Sequence, residues 1–315
     1  MIHRMGPLSR GGQRGAERWH AIGWHGAWIG LLVAVGLAAG CGERTTDMDV
    51  QMFKARTASE QTLIRGREAY MLYCVGCHGE NGDGNGKAAE FLDPRPRNFT
   101  TGIFKFVSTS AGDLARDEDL LRTLERGLHG SSMSPWNLLD IETRKALVAY
   151  VKTFSDFYDD GEEGDRLAIA PDPWKYDPAG GVSRGRTVYH GLATCYKCHP
   201  AYASHEEIQE AARATDAPVS RAFAEDLYAE KIKFSDTHGV DIRPPDFTRR
   251  VLRTGNELED LVRVIQSGVG GTAMPTWSGV LDPADLWAMA HYVRELNLMR
   301  GTPDGEALRN ELGIR

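Results

Sequence analysis

Cysteine is scarce in this chain. Five are present among 315 residues, four of them in two pairs, Cys74 with Cys77 and Cys195 with Cys198, while Cys41 lies near the N-terminus. Once each pair serves a site, no thiol in the body is left for a structural disulfide. A long apolar run is missing too. Residues 27–40 are apolar and uncharged, but fourteen residues fall short of the roughly 20 that a membrane span requires. Positive charge is also in deficit. The formal charge is −7, and the first 41 residues contribute +3 from Arg4, Arg10, Arg14 and Arg18 against Glu17, so the remainder carries about −10. An acidic body argues against nucleic acid, or an anionic membrane surface, as a partner held by charge; a small basic partner fits it better. What is present is ordinary: 41% hydrophobic residues, enough for a core, and a length that suits two domains.

The N-terminus reads as an address. Four arginines precede the apolar run, which suits the h-region of a secretory signal. The run ends Leu37-Ala38-Ala39-Gly40-Cys41 and turns polar at Glu43 and Arg44. This resembles a bacterial lipobox, with the large apolar residue one place further from the cysteine than usual, and implies that Cys41 receives lipid. The alternative is an uncleaved anchor helix starting near Ile22. Both place the body on the periplasmic side of a bacterial membrane and tether it. Residues 1–41 are thus expected to be signal or anchor, and residues 42–59 a polar tether.

Behind the tether the sequence repeats itself. Arg65-Gly66-Arg67 and Tyr70 are answered by Arg184-Gly185-Arg186 and Tyr189, with two extra residues before Cys195. The segment from Arg95-Pro96 to Phe99-Thr100 is answered by Arg243-Pro244 to Phe247-Thr248. Asp119-Leu120 to Gly127 corresponds to Asp260-Leu261 to Gly268, Met133 and Trp136 to Met274 and Trp277, and Leu139-Asp140 to Leu281-Asp282. An order preserved throughout means two copies of one unit. Each copy reads as helical. Asp140 is placed to cap a closing helix that sets Leu147, Tyr150, Val151 and Phe154 on one face. Asp282 and Pro283 open its counterpart, with Leu286, Met289, Ala290 and Val293 inward. The expected organisation is all-α, with one domain over residues 60–157 and a second over 183–300. An acidic, proline-bearing solvated linker at 158–182 joins them, and a tail follows at 301–315. The second copy carries an insertion at about 200–241. Within it Ser204 and Glu207 form a capping box for a helix toward Ala214, and a second short helix is expected over Arg221 to Ile232.

The chemistry lies in the spacing. Cys74-Val75-Gly76-Cys77-His78 and Cys195-Tyr196-Lys197-Cys198-His199 are attachment sites for c-type haem. Two thiols three residues apart reach the two vinyl groups on one porphyrin edge, and the next residue offers imidazole to the iron. A zinc site would bring its cysteine pairs together, yet these lie 121 residues apart in separate copies. A redox dithiol would sit in a βαβ context, of which there is no sign. Met133 and Met274 each follow a loop rich in Gly and Ser or Thr and precede a proline and a tryptophan. Sharing one repeat position, they are expected to be the second axial ligands, against the ordinary alternative of gap-filling core methionines. His129, His190, His205, His238 and His291 lack repeat-matched partners and read as surface or tuning residues.

Each copy resembles a small monohaem cytochrome c domain. Gly66 and Tyr70 match the glycine and aromatic that this family places where its first helix crosses its last, with Tyr150 as contact. Gly185, Tyr189 and Tyr292 do the same in the second copy, with the first helix altered before Cys195. The resemblance implies two covalently bound haems c and a proline carbonyl holding the other nitrogen of each ligand histidine. Pro96 and Pro244 are the first candidates for that carbonyl, Pro94 and Pro245 the competitors. It implies Phe99, Phe104 and Phe106 near the first haem and Phe247 near the second. Two imidazole–thioether sites are closed to substrate, so the resemblance implies an electron carrier with redox-protein partners in a respiratory chain. The alternatives are a fixed dihaem subunit of a membrane oxidoreductase and, third, a dihaem peroxidase-like enzyme.

Overall fold

The structure is a computed structural model that describes residues 58–160, 162–231, 234–235 and 241–314. Cys41, the leader and nearly all of the expected tether lie outside them. In chain order the first copy holds α1 (Glu60–Tyr73), α2 (Val75–His78), α3 (Asp117–Arg126), α4 (Ile141–Lys152) and α5 (Phe157–Asp160). The second copy holds α6 (Pro178–Thr187), α7 (His205–Ala214), α8 (Leu258–Ser267), α9 (Pro283–Leu298) and α10 (Pro303–Leu312). Among the described residues the fold is all-α apart from β1 (Phe234–Ser235) and β2 (Asp241–Ile242), an antiparallel pair at the end of the insertion.

Capping fixes where the main helices begin. Ser59 Oγ accepts the Thr62 N–H at 3.2 Å to start α1, and Asp140 accepts the Thr143 N–H at 2.9 Å to start α4. Asp282 and Pro283 open α9. The first and last helices of each copy then cross in contact. Glycine makes the crossing close: a Cβ on Gly66 would collide with the Ala146 carbonyl of α4, and one on Gly185 with the Ala288 carbonyl of α9. Tyr70 packs on Tyr150 with ring centroids 5.3 Å apart, and Tyr189 on Tyr292 at 5.6 Å.

Two residues must be absorbed between Tyr189 and Cys195. After α6 the chain makes a π turn over Val188–Leu192, and β-branched Thr194 then adopts a left-handed conformation at φ 49°. Tyr189 thereby keeps its place against the last helix. The insertion packs on this π turn. α7, opened by the Ser204–Glu207 capping box, buries Ala212 and sends Ile208 into the second core, where burying a branched aliphatic side chain contributes roughly 1.5–3 kcal/mol.

Two expectations need correction, and the C-terminal tail, to which the sequence assigned no structure, is ordered. The second insertion helix is absent: residues 221–231 form turns and irregular chain. The C-terminal tail is helical, and Leu308, Leu312 and buried Ile314 of its α10 region pack on the second core. The linker is tied to both copies by hydrogen bonds, although its described side chains stay exposed or half-buried. Leu167 N–H donates to the Ser108 carbonyl at 2.8 Å, and Gln266 Nε2 donates to the Leu167 carbonyl at 3.2 Å. The buried Trp287 indole donates to the Ala170 carbonyl at 2.8 Å, and the Trp174 indole donates to the Ala284 carbonyl at 2.8 Å. His291 Nε2 bonds Asp172 at 2.9 Å. A polar composition hid this because backbone carbonyls, which every sequence supplies, do most of the work.

Candidate functional site

Both Cys-x-x-Cys-His segments are wound on a single turn. In the first copy the His78 and Cys77 N–H groups donate to the Cys74 carbonyl at 2.9 and 3.2 Å. In the second the His199 and Cys198 N–H groups donate to the Cys195 carbonyl at 2.9 and 3.0 Å. Two thiols and an imidazole therefore converge in each copy. The tyrosine of the helix crossing anchors the turn from behind. Tyr70 Oη donates to the Gly79 carbonyl at 2.7 Å, and Tyr189 Oη donates to the Pro200 carbonyl at 2.9 Å, each acceptor directly following the histidine.

The imidazoles are oriented alike. His78 Nδ1 lies 3.0 Å from the Arg97 carbonyl and His199 Nδ1 lies 3.0 Å from the Pro245 carbonyl. A carbonyl can only accept, so Nδ1 carries the proton and Nε2 keeps its lone pair, with no hydrogen-bond partner among the described residues. These acceptors correct the expectation of Pro96 and Pro244 by one residue, and Pro245 was the competing choice. Arg97 and Pro245 are equivalent in the repeat. What matters is the carbonyl's direction rather than a pyrrolidine ring, and residue type does not reveal that direction.

Burial favours the neutral forms. It lowers the pKa of His78, and lowers that of His199 to about 4, in each case against the opposing pull of the backbone carbonyl. Burial, with the neighbouring thiol adding to it, pushes Cys74 and Cys195 up to about 12. The two thiol pairs stand in separate copies, and among the described residues no three His, Cys, Asp or Glu side chains group as metal-ion ligands. The donor set fits haem c instead: paired thiols for the vinyl groups, a neutral imidazole presenting Nε2, and aromatic surroundings. Phe99 stacks on His78 at 4.4 Å and Phe247 on His199 at 4.8 Å. Phe104 stacks on Phe99 at 5.8 Å. Phe106 lines a small cavity between the copies, together with Asp119, Arg122, Asp260 and Arg263.

The methionine loops match bond for bond. The Leu128 N–H donates to the Met133 carbonyl at 2.9 Å, and the Val269 N–H to the Met274 carbonyl at 3.2 Å. Met133 N–H donates to Ser131 Oγ at 3.2 Å, and Met274 N–H to Thr272 Oγ1 at 3.1 Å. Gly127 and Gly268, at φ 64° and 77°, lie against these loops so closely that a Cβ would strike the chain at Met133–Pro135 or Met274–Pro275. Both methionines are half-buried. Met274 packs on the core that also receives Cys195, whereas Met133 joins neither core cluster of the first copy.

Those loops also join the copies. His129 N–H donates to the Arg253 carbonyl at 2.9 Å, and Gly270 N–H donates to the Lys105 carbonyl at 3.0 Å. His129 corresponds to Gly270 and Lys105 to Arg253, so the two bonds are one contact repeated about a pseudo-twofold axis. Beside the axis, Arg126 of α3 pairs with the buried Asp260 of α8, which also holds Arg263 at 2.8 Å. Sequence reasoning missed this interface, although the repeat alignment contained the pairing. It also missed two buried groups in the second copy. His190 has its Nδ1 at 2.8 Å from the Arg186 carbonyl and accepts the Tyr202 N–H at 3.2 Å, and Lys231 donates to the Tyr196 carbonyl at 2.5 Å. His190 and His291 are thus interior residues.

The family described as "Cytochrome C oxidase, cbb3-type, subunit III" matches residues 61–151 and 180–293. Among solved structures, a chain of the Kuenenia stuttgartiensis reducing HAO-like protein complex is similar at 30% identity with a TM-score of 0.61. The match covers 74% of this chain and 95% of that one. No curated protein sequence matches.

Proposed function

Because this chain belongs to the cytochrome c oxidase, cbb3-type, subunit III family, and is a tandem c-type cytochrome that transfers electrons, we propose that it carries two haems c and relays electrons between redox proteins of a respiratory chain at a membrane. Haem c, when bound, supplies a one-electron iron centre. Cys74 and Cys77 hold the first group, and Cys195 and Cys198 the second. His78 and His199 each present a neutral Nε2, fixed in direction by the Arg97 and Pro245 carbonyls. Met133 and Met274 supply thioethers, which favour the reduced state and leave no position for substrate. The body stands on the periplasmic side, tethered through lipid on Cys41 or an N-terminal anchor, which raises the effective concentration of a membrane partner.

The observation that carries this reading is the duplication of every bond that orients the histidine and shapes the methionine loop. An enzyme needing one open iron has no reason to keep both loops alike. A second reading, a fixed subunit of a larger oxidoreductase, is favoured by the similarity to a chain of a protein complex. Co-purification at stoichiometric yield separates it from a free carrier.

Haem content and the weak near-infrared sulfur-to-iron band test the proposal. Two haems per chain and a band of matching intensity are expected, and replacing Cys74 and Cys77 together by alanine halves the haem. One haem in the unaltered protein, or no such band, would overturn it. Globomycin should accumulate a precursor if Cys41 is lipidated, and leave processing unchanged if the anchor helix is retained.

A further inference from the structure

The two attachment turns differ in what bonds their carbonyls. In the first copy the Val75 carbonyl accepts the Gly79 N–H and the His78 carbonyl accepts the Gly84 N–H, both at 2.9 Å. Both donors are neutral backbone groups. In the second copy Pro200 stands in the place of Gly79 and has no N–H to give. The Tyr196 carbonyl, equivalent to that of Val75, is taken by a side chain of the insertion. Lys231 Nζ donates to it at 2.5 Å and lies 3.5 Å from the His199 carbonyl. Lys231 is 3% exposed. An ammonium has three donors and no acceptor, so carbonyl oxygens around it favour the charged form and offset its burial.

The insertion holds the lysine there. The Ala201 N–H donates to the Leu227 carbonyl at 2.9 Å, and Tyr228 Oη donates to the Ala203 carbonyl at 3.0 Å. Glu230 accepts from Arg250 Nε at 2.8 Å and Nη2 at 2.7 Å. The buried carboxylate of Asp246 accepts from Tyr202 Oη and from the Thr248 N–H and Oγ1.

We propose that Lys231 tunes the second haem: a positive charge bonded to the turn that bears the ligand histidine opposes the ferric state and raises that haem's reduction potential. The inference rests on the two-haem reading. It gives the insertion a role in electron transfer, and Lys231 acts through the turn as a positioning residue without touching the iron.

Redox titration of the full-length holoprotein, followed by absorbance, should read two one-electron waves. Replacing Cys74 and Cys77 together by alanine leaves the second haem alone and identifies its wave. Lys231→Gln keeps a donor and removes the charge. It should lower the second wave by a roughly tenfold change in equilibrium constant, about 59 mV for one electron, and leave the first in place. Lys231→Arg should keep the original potential. Pro200→Gly combined with Lys231→Met restores the backbone donor of the first copy without the charge, and should show the same lowering even if Lys231→Gln does not fold. A second wave unmoved in both neutral variants, two waves moved alike, or a fall in Lys231→Arg as large as in Lys231→Gln would each overturn the proposal. Haem content on the same samples separates the readings. Two haems with an unmoved second wave overturn the role of Lys231 alone, whereas one haem in the unaltered protein overturns the reading on which it rests.

Discussion

The two copies share the bonds that shape the site and little of what surrounds it. Tyrosine to the carbonyl after the histidine, carbonyl to Nδ1, and the hydroxyl bracing each methionine recur in both. The cores differ. The second copy has one continuous core running from Val188 through Tyr202, Ile208, Val262 and Leu296 to Ile314, enlarged by the insertion and α10. The first has two small clusters, around Tyr70, Leu147 and Tyr150 and around Val107, Leu120 and Val148. The second also buries His190 and Lys231, which the first lacks. Orienting bonds tolerate little change because their geometry is directional, whereas apolar packing accepts many solutions of similar volume. Divergence therefore gathered in the packing, and the copies acquired different outer surfaces around one kind of site.

The comparison can be pressed hardest at the helix crossings, where the copies should behave alike. Gly66→Val and Gly185→Val each drive a side chain into a backbone carbonyl and should cost about 3–5 kcal/mol or prevent folding. Chemical denaturation of the two variants would show it, and tolerance in one copy alone would break the equivalence.

Next comes a difference the copies should display. His190 is held neutral, chiefly by burial, and its pKa is pushed down to about 4. Protonating Nε2 would also set it against the Tyr202 N–H. Unfolded, the group titrates near 6.5, so on acidification the unfolded state takes up the proton first. Stability of the second copy is then full above about pH 6.5 and falls toward pH 4, by about 3 kcal/mol. Met71 follows the equivalent tyrosine of the first copy, which has no such slope from this position. His190→Leu should cost about 2–3 kcal/mol at pH 7 through the stranded Arg186 carbonyl and Tyr202 N–H, and should flatten the acid limb. An unchanged slope in that variant would remove His190 as its source.

The smallest effect concerns the joint between the copies. Asp260→Ala strands Arg126 and Arg263 and should cost about 1–2 kcal/mol. Its signature is a split unfolding transition, as the copies uncouple. A single transition in the variant would mean that the loop bonds at His129 and Gly270 suffice.

Helical class, two copies and their order were legible because repeat matching and capping are local signals, and the Cys-x-x-Cys-His segments and methionine loops that the spacing singled out fold alike in both copies. Asp140, Asp282 and the Ser204–Glu207 box cap helices where the sequence placed them. The expected helix over 221–232 failed because helix propensity in a segment this short is too weak to prevail over its packing on the site. The linker misled for a related reason. Its acidic residues and prolines describe solubility, while its Leu167 and Ala170 carbonyls accept from Gln266 and Trp287 and its Trp174 indole donates to the Ala284 carbonyl.

By itself the sequence determined which atoms could meet a haem: the spacing of thiols and imidazole along one turn is covalent geometry, and the duplication of the unit is plain arithmetic. Only the tertiary structure decided which carbonyl holds each histidine, how the methionine loops interlock about the pseudo-twofold axis, and which copy covers its own first helix. Those outcomes depend on groups far apart in the chain and on backbone atoms that carry no residue identity. They are fixed when the helices pack.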